Sequence, residues 1–406
     1  MNTDVIIVGG GAAGCFAAIA AARRNRSVLL LDGNDRLGHK LSITGKGRCN
    51  VTNACDMDTL MANIPRNGRF LYSAFSGCMP QDVMDFFEAE GVPLKIERGR
   101  RVFPQSDQAA DIVQALLRAM KRAGVKREQL RVDGLCMEND RCIGVRSGNA
   151  QRFAESILLA TGGASYPRTG SKGDGYRLAM QAGHTVISPQ PSLVPIETVE
   201  SYPAAMSGLS LKNVTLTVRN GKKSCFCEQG EMLFTHFGVS GPLVLSASAM
   251  MEPSDAASYV LEIDMKPALT AEQLDLRIQR DFAESPNRML GNTLQKLLPS
   301  SMVPVMLELA ALAPDQRVNA VTREQRQKLG AMIKAMPLHC KAMRPIAEAI
   351  VTRGGVSVKE VSPKTMESKL VSGLYFAGEL LDVDAYTGGY NLQIAFATGY
   401  AAGQVI

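Results

Sequence analysis

The chain begins with an unbroken apolar run. Asp4 is followed by Val5-Ile6-Ile7-Val8, β-branched at every position, which predicts a buried parallel strand over 4–8. The alanine-rich stretch Ala17–Arg24 predicts a helix, and Ser27–Leu31 predicts a second strand that ends at Asp32. Apolar residues recur at helical spacing over Gln81–Glu90 and Ala109–Ala123. Val132–Arg152 instead alternates, with polar turns at Glu138-Asn139-Asp140 and Ser147-Gly148-Asn149, and predicts short strands. Ser156-Ile157-Leu158-Leu159 predicts a buried strand running through Ala160-Thr161 into Gly162-Gly163. Asp174–Ala182 predicts a helix stopped by Gly183.

The pattern changes at Pro189-Gln190-Pro191-Ser192-Leu193-Val194-Pro195. Three prolines in seven residues predict a crossover and not the interior of an element. Alternation at Val214–Val218 and Ser258–Met265, with a turn signal at Asn220-Gly221, predicts β structure up to about residue 265. Helical spacing follows over Ala271–Glu284, Met302–Ala311 and Arg323–Met336, punctuated by Pro267, Pro286, Pro299 and Pro314. The opening style returns at the end: a short strand at Gly373–Glu379, then a helix of small residues over Ile394–Ala402. The expected organisation is an α/β dinucleotide-binding domain of residues 1–190 plus 350–406, an inserted β-rich, barrel-like domain over 191–267, and a helical subdomain over 268–349.

Composition narrows the class. Of 406 residues, 46% are hydrophobic and 21% charged, as in a soluble globular chain, and no apolar run approaches the roughly 18 residues of a membrane span. The first strand starts within four residues of Met1, which predicts no signal peptide. Nine scattered cysteines with no C-x-x-C predict reduced thiols, a cytoplasmic location and no metal site. The net charge of +6, with basic residues gathered at Lys95–Arg101 and Arg118–Arg131, suits an anionic small molecule or a solvated face. No aromatic residues interleave with those cations, so nucleic acid is not expected as a partner.

The chemistry is clearest in Gly9-Gly10-Gly11-Ala12-Ala13-Gly14. Gly9, Gly11 and Gly14 form G-x-G-x-x-G at a strand–helix junction. The first glycine permits the turn, the second lets a pyrophosphate approach the backbone, and the third lets helix and strand pack closely. Asp32, 18 residues past Gly14, stands where an acid binding the ribose hydroxyls is expected. Leu37–Asn53 holds Gly38, Gly45 and Gly47 among His39, Lys40, Lys46 and Arg48. It is too polar for core and rich in cations, which suits a loop wrapped around an anionic diphosphate. Gly388-Gly389 before the last helix makes a second helix N-terminus that favours negative charge. There is no Ser-His-Asp order, no H-E-x-x-H and no Walker loop.

Several segments resemble a known family. The glycine loop, Ala160-Thr161-Gly162-Gly163, Gly173-Asp174-Gly175 and Gly378-Glu379 are similar to segments of large flavoproteins of the glutathione-reductase and fumarate-reductase kind. Gly45-Lys46-Gly47-Arg48-Cys49-Asn50-Val51-Thr52-Asn53, Thr365-Met366-Glu367-Ser368-Lys369 and Gly388-Gly389-Tyr390-Asn391-Leu392-Gln393 resemble one branch, the FAD-binding family named for the YhiN and BaiN flavoproteins. The chain departs from that family at Asp32, where glutamate is more frequent, and at Thr44-Gly45-Lys46, where Ser-Gly-Gly is usual. The resemblance implies a Rossmann-type, glutathione-reductase-like FAD domain with an insertion. It implies FAD contacts at Gly9, Gly11, Ala12, Ala13, Gly14, Asp32, Gly38, Lys40, Thr44, Gly45, Arg48, Cys49, Asn50, Thr161, Gly162, Gly378, Glu379, Asp382, Gly389, Tyr390, Asn391 and Leu392. Asp382 is implied at the ribityl chain. Arg101 and Tyr390 are the candidate catalytic groups, one for a substrate oxyanion and the other for proton donation. His236 is a further residue considered for the cleft.

The function expected is that of an FAD-dependent oxidoreductase reducing an activated C=C bond of a small molecule, such as a steroid- or bile-acid-like enone, with NAD(P)H as electron donor. Two alternatives stand beside it: an oxidase or dehydrogenase of a small amine or alcohol, and an RNA-acting flavoprotein or binding module. The oligomeric state is not legible in the sequence.

Overall fold

The computed structural model describes residues 3–406. Strand β1 (Thr3–Val8) leads through the glycine loop into helix α1 (Ala12–Arg23), and β2 (Val28–Asp32) pairs parallel to β1. α1 starts five residues earlier than its alanine run suggested, because Ala12, Ala13 and Gly14 already belong to its first turn. A small antiparallel sheet follows, made of β3 (Thr52–Asn53), β4 (Leu94–Glu97) and β5 (Arg101–Pro104), in the order β3-β5-β4. The helices Pro80–Ala89 and Ala109–Arg122 lie within one residue of their expected ends.

The main sheet is completed by β6 (Lys126–Gln129), β7 (Gly134–Glu138), β8 (Arg141–Ser147) and β9 (Ala150–Leu159). Its order is β6-β2-β1-β9-β8-β7, and a late strand, β18 (Leu374–Phe376), runs parallel beside the last residues of β9. Five strands are thus parallel, while β7 and β8 form an antiparallel extension. Val5, Ile6, Ile7, Leu30, Leu31 and Ile157–Leu159 have no exposed surface, as expected for parallel strands covered on both faces. The C-terminal helix, Tyr390–Gly403, lies on α1. A Cβ added at Gly399 would stand 2.2 Å from the Ala13 carbonyl oxygen, and one at Gly403 would stand 2.6 Å from that of Ala17. Small residues there are a condition of the close approach.

The proline-rich stretch differs from expectation. Val186–Ser192 is a strand, β10, paired antiparallel with β17 (Val351–Val356) in a two-stranded sheet. The register shifts between Ile187 and Gln190. A strand with one partner leaves half its N–H positions unused, so Pro189 and Pro191 cost it little.

The chain divides into two compact units, 3–192 with 346–406, and 193–345. The second unit holds a closed barrel in the order β11 (Ile196–Thr198), β14 (Gly238–Ser240), β13 (Lys223–Thr235), β12 (Ser210–Asn220), β15 (Tyr259–Asp264) and β16 (Met336–Met343). Residues 268–349, expected as a separate helical subdomain, contain the closing strand of this barrel. The helices Ala271–Ala283, Val303–Ala310 and Arg323–Lys334 share one core with it, through Leu274, Ile278, Met306, Leu329 and Ile333. The alternation Met336, Leu338, Cys340 buried against exposed His339 and Lys341 marks the strand that helical spacing had absorbed.

Candidate functional site

The parallel strands β1, β2, β9 and β18 end at one edge of the sheet. Beyond Val8, Leu31, Leu159 and Phe376 the chain turns into Gly9–Ala13, Asp32–Asn34, Ala160–Gly162 and Ala377–Glu379, and all four segments line a single cavity of about 300 Å³. The strand order reverses at β1, so the cavity lies at the switch point where α/β sheets bind ligands.

The three glycines of the loop have three distinct surroundings. Gly9 has φ +108°, and a Cβ there would lie 2.3 Å from the Ala160 carbonyl oxygen. A Cβ at Gly14 would lie 1.9 Å from the Gly9 carbonyl oxygen. Gly11 has φ −85°, and a Cβ there would meet nothing within 4 Å. Gly11 also caps α1, whose first N–H groups receive no side-chain cap. An uncapped helix N-terminus beside open space is an anion seat. The Asp32 carboxylate fixes this loop. Its Oδ2 accepts from the Gly10 amide at 2.6 Å, and its Oδ1 from the Asn34 amide at 2.7 Å. A carboxylate can accept about four hydrogen bonds, which leaves acceptor capacity for a ligand.

On the other side of the cavity Lys40 is held by two oxygens. Its Nζ donates to Ser165 Oγ and to Glu379 Oε2, both at 2.6 Å. Glu379 Oε1 accepts from Ser165 Oγ and from the Thr352 amide, both at 2.8 Å. Thr352 Oγ1 accepts from the amides of Ala164 and Ser165. This network ties four segments distant in sequence into one wall. Next to it Thr161 Oγ1 is buried at the cavity without a hydrogen-bond partner among the described residues. An unpartnered buried hydroxyl is costly and points to a ligand atom that completes it.

The first turn of the C-terminal helix borders the same cavity through Asn391, Leu392 and Ile394. Gly389 caps this helix at φ +101° and lies against the Thr52 backbone, its added Cβ 2.3 Å from the carbonyl oxygen. Thr52 Oγ1 bonds Gln393 Oε1 at 2.7 Å. Asn53 Nδ2 donates to the carbonyls of Gly99 and Gly388 at 2.9 and 3.0 Å. Asn391 pairs with both the amide and the carbonyl of Ala385.

Of the residues singled out in the sequence, the structure gathers Gly9, Gly11, Ala12, Ala13, Asp32, Gly38, Lys40, Thr44, Thr161, Gly162, Gly378, Glu379, Asn391 and Leu392 around the cavity. The others are not among the residues that line it. Gly14 and Gly389 make the close backbone approaches just described. Arg48, expected to meet a diphosphate, is paired with Glu97 and Asp107 and stacks 4.0 Å above the Phe103 ring. Cys49 has no exposed surface, and burial pushes its thiol up to about 12. Gly45 and Asn50 lie outside the lining, although Asn50 Oδ1 is buried without a partner. Burial raises the Asp382 carboxyl above the usual range, and Asn67 Nδ2 donates to it at 3.0 Å. Tyr390 is 7% exposed and, like Arg101, does not line the cavity. Arg101 Nε donates to the Arg98 carbonyl. His236 packs edge-on to Phe237 in the second unit.

The sequence reading passed over Gly10, Asn34, Ser165 and Thr352. Their parts are played by backbone amides or by contacts across more than a hundred residues, and neither leaves a signal in spacing. Asp174, which lines the cavity and holds Arg131 in a bidentate pair, was visible between Gly173 and Gly175.

Comparison with known proteins adds the following. A family model described as the HI0933-like protein Rossmann domain matches residues 3–405. A 3-dehydro-bile acid delta(4,6)-reductase from Clostridium scindens is 33% identical over 98% of this chain and 97% of its own length. A ribosomal RNA dihydrouridine synthase from Haemophilus influenzae is 32% identical over 98% of this chain and 97% of its own. One from Escherichia coli is 32% identical over 99% and 97%. The structure of 3-ketosteroid-delta4-(5alpha)-dehydrogenase from Rhodococcus jostii superposes with a TM-score of 0.52 at 16% identity, covering 99% of this chain and 95% of that one, a likeness of fold.

Proposed function

The chain belongs to the HI0933-like Rossmann family, and from that premise we propose that it reduces a carbon–carbon double bond conjugated to a carbonyl group. In class it is an FAD-dependent oxidoreductase. The observation that carries the cofactor assignment is the cavity at the carboxyl ends of the parallel strands, with Gly11 facing open space and Thr161 Oγ1 lacking a partner.

In this reading the uncapped amides at Gly11–Ala13 bind the cofactor's diphosphate, Asp32 accepts from ribose hydroxyls, and Thr161 Oγ1 bonds the cofactor. The network of Lys40, Ser165, Glu379 and Thr352 holds the wall between them. The N-terminus of the C-terminal helix, which borders the cavity, would favour negative charge on a cofactor group held beside it. FAD, when bound, supplies two-electron hydride chemistry. NAD(P)H is the donor we favour.

The bond class rests on the relatives. A delta(4,6)-reductase of a 3-dehydro bile acid acts on double bonds conjugated to a 3-oxo group, and dihydrouridine is uridine whose C5–C6 bond, conjugated to a carbonyl, has been reduced. The first substrate reading is a small enone. The second is uracil in ribosomal RNA: two relatives bear that name, which supports the RNA-acting flavoprotein that the sequence left as an alternative although no nucleic-acid partner was expected.

The test uses protein loaded with FAD and reduced under argon, then mixed with 3-oxo-4-ene steroids or with unmodified ribosomal RNA transcripts. Reoxidation by one of these faster than by O2 is the expected result. If neither reoxidises it while amines or alcohols reduce the oxidised form, the protein is an oxidase or dehydrogenase and the proposal fails.

A further inference from the structure

We infer that the guanidinium plane of Arg131 is the seat on which the cofactor's adenine ring stacks, and that Asp174 is the positioning residue that holds this plane still. The inference rests on the reading of the cavity as an FAD site.

The end of β6 places Arg131 beside the acid assigned to the ribose. β6 runs parallel to β2, so the chain leaves both strands at the same edge of the sheet. The Leu130 amide donates to the Asp32 carbonyl at 2.9 Å, and a Cβ added at Gly33 would stand 3.3 Å from Arg131 Cβ. Asp32, Gly33, Leu130, Arg131 and Val132 all line the cavity. The adenine ring is carried by the ribose whose hydroxyls Asp32 accepts from, so it belongs at this end of the cavity.

Asp174 fixes the orientation of the guanidinium. Arg131 Nε donates to Asp174 Oδ2 at 3.1 Å, and Nη2 donates to Oδ1 and Oδ2 at 3.0 and 2.9 Å. Binding one edge of the guanidinium to one carboxylate brings the two planar groups toward a common plane. Asp174 is itself held in place. It opens the helix Asp174–Gln181, whose N-terminus favours a carboxylate. The next residue, Gly175, packs so closely that an added Cβ would stand 2.0 Å from Thr161 Oγ1. Asp174 lines the cavity as Arg131 does.

The pairing decides what this guanidinium suits. Its charge is balanced by Asp174, so it has little to offer a diphosphate, whose seat is the uncapped helix N-terminus at Gly11. Its hydrogen-bonding edge toward Asp174 is occupied. What it keeps is the two faces of a planar, weakly hydrated cation, and the side chain is 59% exposed where it borders the cavity. Nucleic-acid bases stack on such a face. Val132 and Leu178, both buried, add apolar surface to the same cavity. An arginine already clamped in one orientation loses less freedom when a ring settles on it than a free one does.

The experiment titrates three probes into the full-length apoprotein: FAD, ADP, which carries the adenine, ribose and diphosphate alone, and FMN, which lacks the adenosine. Wild type is compared with Arg131→Ala, Arg131→Lys and Asp174→Asn, and each apoprotein is also melted. The variants should melt within about 2 °C of wild type, because a largely exposed ion pair contributes little to stability. We expect Arg131→Ala to weaken both FAD and ADP about tenfold, as for a cation stacked on a ring partly shielded from water, and to leave FMN within about twofold. Arg131→Lys keeps the charge and loses the plane, so it should lose nearly as much. Asp174→Asn releases the plane and should weaken FAD and ADP by about threefold with FMN again unchanged. Wild-type affinity for FAD and ADP in Arg131→Ala overturns the inference. So does full affinity in Arg131→Lys, which assigns the effect to charge, and so does equal weakening of FMN, which makes the residue structural. Wild-type protein that binds neither FAD nor ADP refutes the cofactor reading itself, whereas tight FAD binding that ignores Arg131 refutes the stacking seat alone.

Discussion

Gly11→Val separates binding of the cofactor from stability of the fold. Gly11 sits at φ −85° and ψ −166°, an extended conformation open to valine, and a Cβ there meets nothing within 4 Å. The protein without cofactor therefore has little reason to object. Losing a glycine N-cap costs about 1 kcal/mol, while restricting the unfolded chain returns roughly 0.4–1 kcal/mol. The net change should move the melting temperature by no more than about 2–4 °C. With FAD the side chain occupies the space at the α1 N-terminus where the diphosphate would lie. Two hydrogen bonds from amides to a charged group, at about 1.5–3 kcal/mol each, would be lost. A deficit of about 3–6 kcal/mol corresponds to a fall in affinity of roughly 10²–10⁴-fold. The assay is fluorescence titration of FAD into apoprotein, paired with thermal melts without cofactor. Gly14→Ala is the contrasting control. Its Cβ would stand 1.9 Å from the Gly9 carbonyl oxygen, so the apoprotein itself should lose about 1–3 kcal/mol or more. If Gly11→Val binds FAD within about threefold of wild type and melts normally, the diphosphate does not lie at Gly11 and the assignment of this loop is wrong.

Two further outcomes follow from the geometry. Lys40→Met strips Glu379 of its ammonium partner in a wall where both side chains are largely buried, and should cost about 1–3 kcal/mol in urea melts; adding Glu379→Gln should recover part of that loss, and no recovery would mean that the pair is not coupled. His184 is buried with Nε2 2.7 Å from Ser368 Oγ, and burial, partly opposed by Glu360, depresses its pKa below 6.5. The unfolded chain then binds a proton that the folded ring resists, so this contribution is complete above about pH 6.5 and stability falls as the pH drops below it; His184→Asn should flatten that limb of the stability–pH curve, and an unchanged slope would assign it to other groups.

The candidate site was legible in the sequence wherever its logic is local. A strand, three glycines at fixed spacing, a helix and an acid at the next strand's end are neighbours along the chain, and each glycine occupies the surroundings that the spacing implied. Gly388-Gly389 announced a helix start for the same reason, though the helix begins at Tyr390 and not at Ile394. What spacing could not decide is which polar group meets which. Lys40 and Arg48 lie eight residues apart in one cationic loop, yet one faces the cavity while the other is consumed by Glu97 and Asp107. That choice depends on a hairpin about fifty residues further along. The partner of Lys40 is Glu379, brought to it by β18 docking beside β9. The barrel shows the same division. Its hairpin β12–β13 was written in alternation and an Asn-Gly turn, but its closing strand, β16, follows a helix and pairs with β11 and β15 across long stretches of chain. Periodicity records the face a residue buries. Long-range pairing, the satisfaction of buried polar atoms and the choice between ion-pair partners are settled only when distant segments compete for the same space, and tertiary structure alone decides them.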